Sequence, residues 1–95
     1  MRKYEVVFIF KVLEEEATNT VVTKFETLIT DNGGEIDKID RWGKKRLAYE
    51  IKDETDGYYV LVHFHSEPPV VKELDRVAKI NEDLLKHMIV KLDEK

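Results

Sequence analysis

The chain has 95 residues, of which 42% are hydrophobic and 38% charged, with a formal net charge of −4 and no cysteine. That length allows one compact domain with a modest core, and the apolar share is enough to build it, which excludes a disordered chain. Without cysteine there is no disulfide framework, no Cys-ligated zinc and no thiol nucleophile, and a cytosolic location is expected.

The N-terminal apolar run covers only residues 6–10, too short for a signal-peptide core or a membrane span. The chain is therefore expected to be the whole mature protein, cytoplasmic and without a membrane partner. The run itself reads as a strand, with Tyr4, Val6, Phe8 and Phe10 alternating with Glu5, Val7 and Ile9. Both sets are largely apolar, as in a central strand. From about residue 14 to residue 32 the period changes. Ala17, Val21, Phe25, Leu28 and Ile29 recur at steps of three and four, one face of a helix. Gly33-Gly34 ends it, the first glycine suited to a left-handed cap.

Residues 35–41 form a polar strand anchored by Ile36 and Ile39, whose spacing of three requires either a bulge or an outward-facing isoleucine. Gly43 marks a kink, after which Leu47, Tyr49 and Ile51 alternate cleanly. Residues 53–57 read as a turn ending in Asp56-Gly57. The next strand carries Tyr58, Val60, Val62 and Phe64 on one face and Tyr59, Leu61, His63 and His65 on the other. Ser66 is placed to cap a second helix in which Pro68 and Pro69 sit harmlessly in the first turn. Val70, Leu74 and Val77 give its stripe, and residues 84–92 form a last, charged strand at an edge, with its buried parity open.

The order strand-helix-strand-strand-helix-strand predicts an α+β, ferredoxin-like split βαβ fold (βαββαβ), a single domain over residues 1–95. Right-handed crossovers put both helices on one face of a four-stranded antiparallel sheet. The charge-free set Val6, Phe8, Phe10, Val60, Val62 and Phe64 belongs under the helices. The open face then shows Val7, Ile9, Tyr59, Leu61 and His63, apolar enough to be a partner-bound surface.

Enzyme chemistry finds no support. The only serine, Ser66, serves better as a cap, and no glycine-rich loop opens a helix to cradle a phosphate. No carboxylate pair has the apolar setting that raises a pKa for acid–base work. His63 and His65 share a face but lack a convincing third ligand, so no metal and no cofactor is expected. An RNA-recognition motif, which has the same strand order, needs aromatics across the open face, where only Tyr59 qualifies.

The strongest constellation is Arg41-Trp42-Gly43-Lys44-Lys45-Arg46-Leu47-Ala48-Tyr49, four cations in six residues without an acid. Arg2 and Lys3 form a second, smaller cluster. Because salt screens exposed charges beyond about 8–10 Å, local charge decides where phosphate sits, whatever the acidic total. Such a segment suits RNA backbone contact, or equally a solvated basic hairpin with Trp42 and Tyr49 packed beneath it.

These residues also carry a resemblance. Met1-Arg2-Lys3-Tyr4-Glu5 resembles the opening of the ribosomal protein six family of the bacterial small subunit. The segment from Trp42 through Arg46-Leu47-Ala48-Tyr49 to Ile51 resembles that family's Gly, basic, Leu-Ala-Tyr, Ile segment. Gly57-Tyr58-Tyr59 and Met88-Ile89-Val90-Lys91 match its later strands, so the likeness spans the chain. It implies a structural protein of the small ribosomal subunit, not an enzyme, that binds the central domain of small-subunit rRNA jointly with the basic ribosomal protein eighteen. By position it implies Arg2, Tyr4, Lys44, Lys45, Arg46 and Lys86 as RNA-binding residues, to which the two basic clusters add Lys3 and Arg41. The protein-partner surface expected with them is Val7, Ile9, Trp42, Tyr59, Leu61 and His63, with Leu47 and Tyr49 mainly holding the strand. Two positions depart from the family: Glu50 stands where proline is familiar, and His87 where an apolar residue is usual. The competing reading is a ferredoxin-like regulatory homodimer that binds a small molecule, and an acylphosphatase-like enzyme is disfavoured because Lys11-Val12-Leu13 offers one cation and no glycine.

Overall fold

A computed structural model describes residues 1–92, so the last three residues of the expected 1–95 domain lie outside the described part. The elements run β1 (Arg2–Phe10), α1 (Glu15–Asp31), β2 (Glu35–Ile51), β3 (Glu54–Ser66), α2 (Pro68–Ile80) and β4 (Leu84–Lys91). One sheet has the order β2-β3-β1-β4 with every neighbour antiparallel, so the two most apolar strands are central, as their sequences require. No helix among the described residues is long and apolar enough to cross a membrane.

The core lies between the helices and the even-numbered face of β1 and β3. Val6, Phe8, Phe10, Val60, Val62 and Phe64 are all buried there, against Val21, Val22, Phe25 and Ile29 of α1 and Leu74 and Ala78 of α2. Phe25 reaches Phe8 at 4.8 Å and Phe10 at 5.9 Å between ring centroids, both tilted, which adds directional aromatic contact to the area buried. Each such phenylalanine contributes about 1.5–3 kcal/mol by leaving water.

Several local expectations are corrected. Ala17 is exposed, and the inward face of α1 includes Thr18 instead, its hydroxyl directed at the Leu13 carbonyl oxygen at 3.4 Å. Ser66 does not cap α2: it is the buried end of β3, and Glu67 occupies the cap position without a side-chain bond. In α2 the fully buried positions are Val70, Leu74 and Ala78, with Val77 half-buried. The turn after β2 is not Asp56-Gly57. It is Lys52-Asp53, with φ of 50° and 64°, closing Ile51 onto Glu54 in a two-residue hairpin whose left-handed residues match the strand twist.

The spacing of Ile36 and Ile39 resolves as a bulge. Ile36 pairs with Phe64 and Lys38 with His63, so Asp37 is the extra residue and both isoleucines face the helices. A second bulge lies between Arg41 and Gly43, where Gly43 has φ of 85°. The parity of β4 is also set: Ile89 and His87 lie opposite Val6 and Phe8 on the helix side, while Met88 and Val90 lie opposite Val7 and Glu5 on the open side.

His87, polar where the core would take an aliphatic, meets a carboxylate from the helix above it. Its Nε2 lies 2.8 Å from Asp75 Oδ1, and Lys79 Nζ lies 2.9 Å from Asp75 Oδ2. The His87 hydrogen bond, then the Lys79 bond, hold the Asp75 carboxyl below its ordinary value of 3.8. A carboxyl lowered in the folded state stabilises the fold above its ordinary value, and that share is lost as pH falls through the lowered one. Chemical unfolding of the parent and of Asp75→Asn should therefore show a gap in stability at about pH 5 that closes as pH drops below 3.8. A gap independent of pH would remove the ionised carboxylate from the account.

Candidate nucleic-acid interface

The sheet order puts β2 and β4 at opposite edges, yet their side chains meet. The hairpin of β2 and β3 is long, and beyond Arg46 the cross-strand register shifts before closing at Ile51 and Glu54. Its far part arches across the open face. Leu47 packs there on Ile9 and Leu85 in a second cluster, flanked by Ile51 and Tyr59. Lys52 Nζ donates to the Leu84 carbonyl oxygen at 3.3 Å, and Lys86 Nζ bonds the Tyr49 hydroxyl at 3.2 Å, so β4 holds the arch at two points.

The closure depends on a missing side chain. Gly57 is buried inside β3, and a Cβ there would stand 2.5 Å from Ile9 Cγ2 and 3.1 Å from Leu47 Cδ2. Glycine is thus needed in mid-strand for close approach of neighbours.

The arch sorts the expected residues. Arg41 lies opposite Val60, a helix-side position, and its Nη1 donates to Asn19 Oδ1 of α1. Lys44, opposite Tyr58, shares that side, and both line a cleft of about 390 Å³ with Glu15 and Thr18. Lys45 lies on the open side with its ammonium 5.4 Å from the Trp42 ring centroid, and Trp42 stacks on Tyr59 at 6.4 Å. Arg46 is exposed opposite Asp56. The four cations of residues 41–46 therefore line both faces of one edge strand, and Lys86 joins that end of the sheet through Tyr49.

Arg2 and Lys3 do not join them. They pair with Ser66 and His65, six and five positions along β3 from Val60, the partner of Arg41, roughly 17–20 Å away at strand rise. Tyr4 is a core residue, 6% exposed, with its ring 5.5 Å from Phe64, because its parity is that of Val6 and Phe8. Ile9 is likewise not at the surface: at 5% exposure it lies beneath Leu47. Tyr49 departs in the other sense, standing out from the arch at 62% exposure instead of packing under it.

On the rest of the open face Val7, Leu61 and Tyr59 are half-buried, and Met88 and Val90 extend the apolar strip onto β4. His63 Nε2 lies 2.9 Å from Glu5 Oε1 within it, and His65 Nδ1 lies against Asp37 of the first bulge. Alternation along β4 would have exposed Met88 and Val90 from sequence only once the register of its pairing with β1 was known. No group of three or more potential metal ligands occurs among the described residues.

Both the sequence and the ferredoxin-like fold are matched along nearly the whole chain by known proteins. The family model for ribosomal protein S6 covers residues 3–91. The chain belongs to this family. It is similar to the small ribosomal subunit protein bS6 of Moorella thermoacetica, at 53% identity over 99% of this chain and 97% of the relative. Likeness to the protein of that name from Desulforamulus reducens is 47%, over 99% of this chain and all of the relative. The crystal structure of 30S ribosomal protein S6 from Thermotoga maritima superposes with a TM-score of 0.90 at 27% identity, over 96% of this chain and 87% of that one. Family membership makes the chain a structural component of the small subunit in the cytoplasmic ribosome, not an enzyme. It lends no support to the homodimeric sensor reading.

The arch makes a stability test. Gly57→Ala forces Ile9 or Leu47 to move and should cost about 1–3 kcal/mol, as overpacking does. Thermal unfolding would read this as a fall of roughly 4–8 °C per kcal/mol at this size; an unchanged midpoint would show that the closure is not tight.

Proposed function

We propose that this chain binds small-subunit rRNA, in the central domain, jointly with the basic ribosomal protein eighteen, as one RNA-binding ribosomal domain over residues 1–95. The observation that carries the reading is the placement of Arg41, Lys44, Lys45 and Arg46 on an exposed edge strand of a chain that is otherwise acidic. A phosphate backbone laid along an edge reaches cations that point to either face, whereas one laid on a face reaches only half of them. Arginine forks to phosphate oxygens and lysine adds less directional charge. Arg2 and Lys3, at the far end of the sheet, suit a separate contact.

A basic edge also keeps other strands from pairing with it, so these cations have a structural use even without RNA. What favours RNA is family membership together with the concentration of cations at a single edge. The net charge of −4 argues for a partner that supplies further positive charge. The apolar strip of Val7, Leu61, Tyr59, Trp42, Met88 and Val90 offers that partner a surface away from β2's backbone edge, with Glu5 and His63 as its polar centre.

Replacement of Lys44, Lys45 and Arg46 together by alanine should flatten the dependence of RNA affinity on salt. The logarithmic slope falls by about one for each phosphate that the protein no longer neutralises. Titrations at several salt concentrations that give the parent slope would refute the assignment.

A further inference from the structure

Tyr49 is the most exposed aromatic among the described residues, and its strand is anchored on both sides of it. Leu47 anchors the strand two residues before it, and Lys52 ties down the turn three residues after it. Lys86, from the opposite edge of the sheet, bonds the Tyr49 hydroxyl and places its ammonium 5.8 Å from the ring centroid. Among the described residues no carboxylate lies within ion-pair distance of Lys86, so none of these neutralises its charge. Glu50, the next residue on β2, is exposed and is not among the residues that line the cleft beside Lys86.

Neither member of this pair is needed for the core. An aromatic packed for stability would be buried, and a lysine kept for solubility would not be held against a ring. We propose that Tyr49 and Lys86 form a site for one unpaired nucleotide of a single-stranded RNA segment, with its base stacked on the Tyr49 ring and its adjoining phosphate held by Lys86. The site rests on the RNA-binding reading above and deepens it from backbone contact to base contact.

The chemistry fits a nucleotide in three respects. Every base has a π-face that stacks on an exposed ring, and a ring already bonded at its hydroxyl has less freedom to lose on binding. The ammonium beside it supplies the phosphate charge. The Tyr49 and Lys86 donors also border a cleft of about 200 Å³, lined in part by Ile9, Leu47, Tyr59 and Met88, where a base edge can enter from the ring. A duplex cannot use the site, because its bases present no free face.

The test uses the full chain, with a labelled single-stranded oligoribonucleotide of mixed sequence and the same sequence as a duplex. Tyr49→Phe keeps the ring and Tyr49→Leu keeps only apolar bulk; each loses only the exposed bond to Lys86, with Leu47 and Lys52 still holding the arch, so both should melt close to the parent. The expected result is parent-like single-strand affinity for Tyr49→Phe, about tenfold weaker affinity for Tyr49→Leu, and duplex affinity unchanged in both. Lys86→Ala should weaken single-strand binding and lower its salt slope by about one. Equal affinity of the Phe and Leu variants, or equal losses on duplex, would overturn the site. So would a Tyr49→Leu effect confined to binding of ribosomal protein eighteen, which would make this a protein contact. If the Lys44, Lys45 and Arg46 replacement still flattens the salt slope while Tyr49→Leu changes nothing, the RNA reading stands and only this site falls.

Discussion

Leu47 rests on Ile9 across the place where Gly57 has no side chain, and the open face of the sheet is organised by that contact. Without it the far half of the β2–β3 hairpin would extend past the sheet as a two-stranded ribbon, which is marginal in water. With it, the ribbon folds back over β3 and β1 as far as β4, where Lys52 and Lys86 fasten it. The contact thus divides one sheet face into two regions. Under and around the arch lie Leu47, Tyr49, Lys86 and the exposed cations of β2; beyond it lies the apolar strip from Trp42 and Tyr59 to Val90.

That division bears on how an acidic small-subunit protein can work beside a polyanion. Long-range attraction is unfavourable at a net charge of −4, so in the proposed function binding comes from charges close to the phosphates. An edge strand with cations on both sides provides these locally. The apolar strip lies mostly elsewhere and meets the cations and the Tyr49 cleft only at Trp42, Tyr59 and Met88, so in the proposed function a protein partner and an RNA adjoin without needing one surface. Desolvation of Glu5 and His63 within the strip would be offset only by a partner that respects their mutual bond, which makes the pair a source of selectivity as well as cost.

The fold was legible because its signals are periodic. Two central strands announce themselves by apolar content on both faces, and α1 by steps of three and four. Even the bulge at Asp37 is visible as the odd spacing of Ile36 and Ile39. The failures lie where tertiary contacts override local composition. Asp56-Gly57 has the composition of a turn, yet the turn formed at Lys52-Asp53, because Gly57 is needed inside the strand to admit Ile9 and Leu47. Ser66 has the chemistry of a cap and is spent as a buried strand end. The parity of β4 depends on a register shift opposite Ile9 and Phe10, which no residue in β4 marks. The site was legible as a basic stretch, but the exposure of Tyr49 and its contact with Lys86 arise from an arch that joins the two edge strands, and no local pattern encodes it.

In the proposed function, RNA and protein partner use largely separate surfaces of one small domain and reinforce each other. The most direct test measures the affinity of this chain for a central-domain fragment of small-subunit rRNA, alone and with saturating ribosomal protein eighteen. Separate surfaces with a shared RNA require markedly tighter binding in the presence of the partner and a stable three-component complex. Equal affinity with and without the partner, or displacement of the chain from RNA by it, would contradict the account.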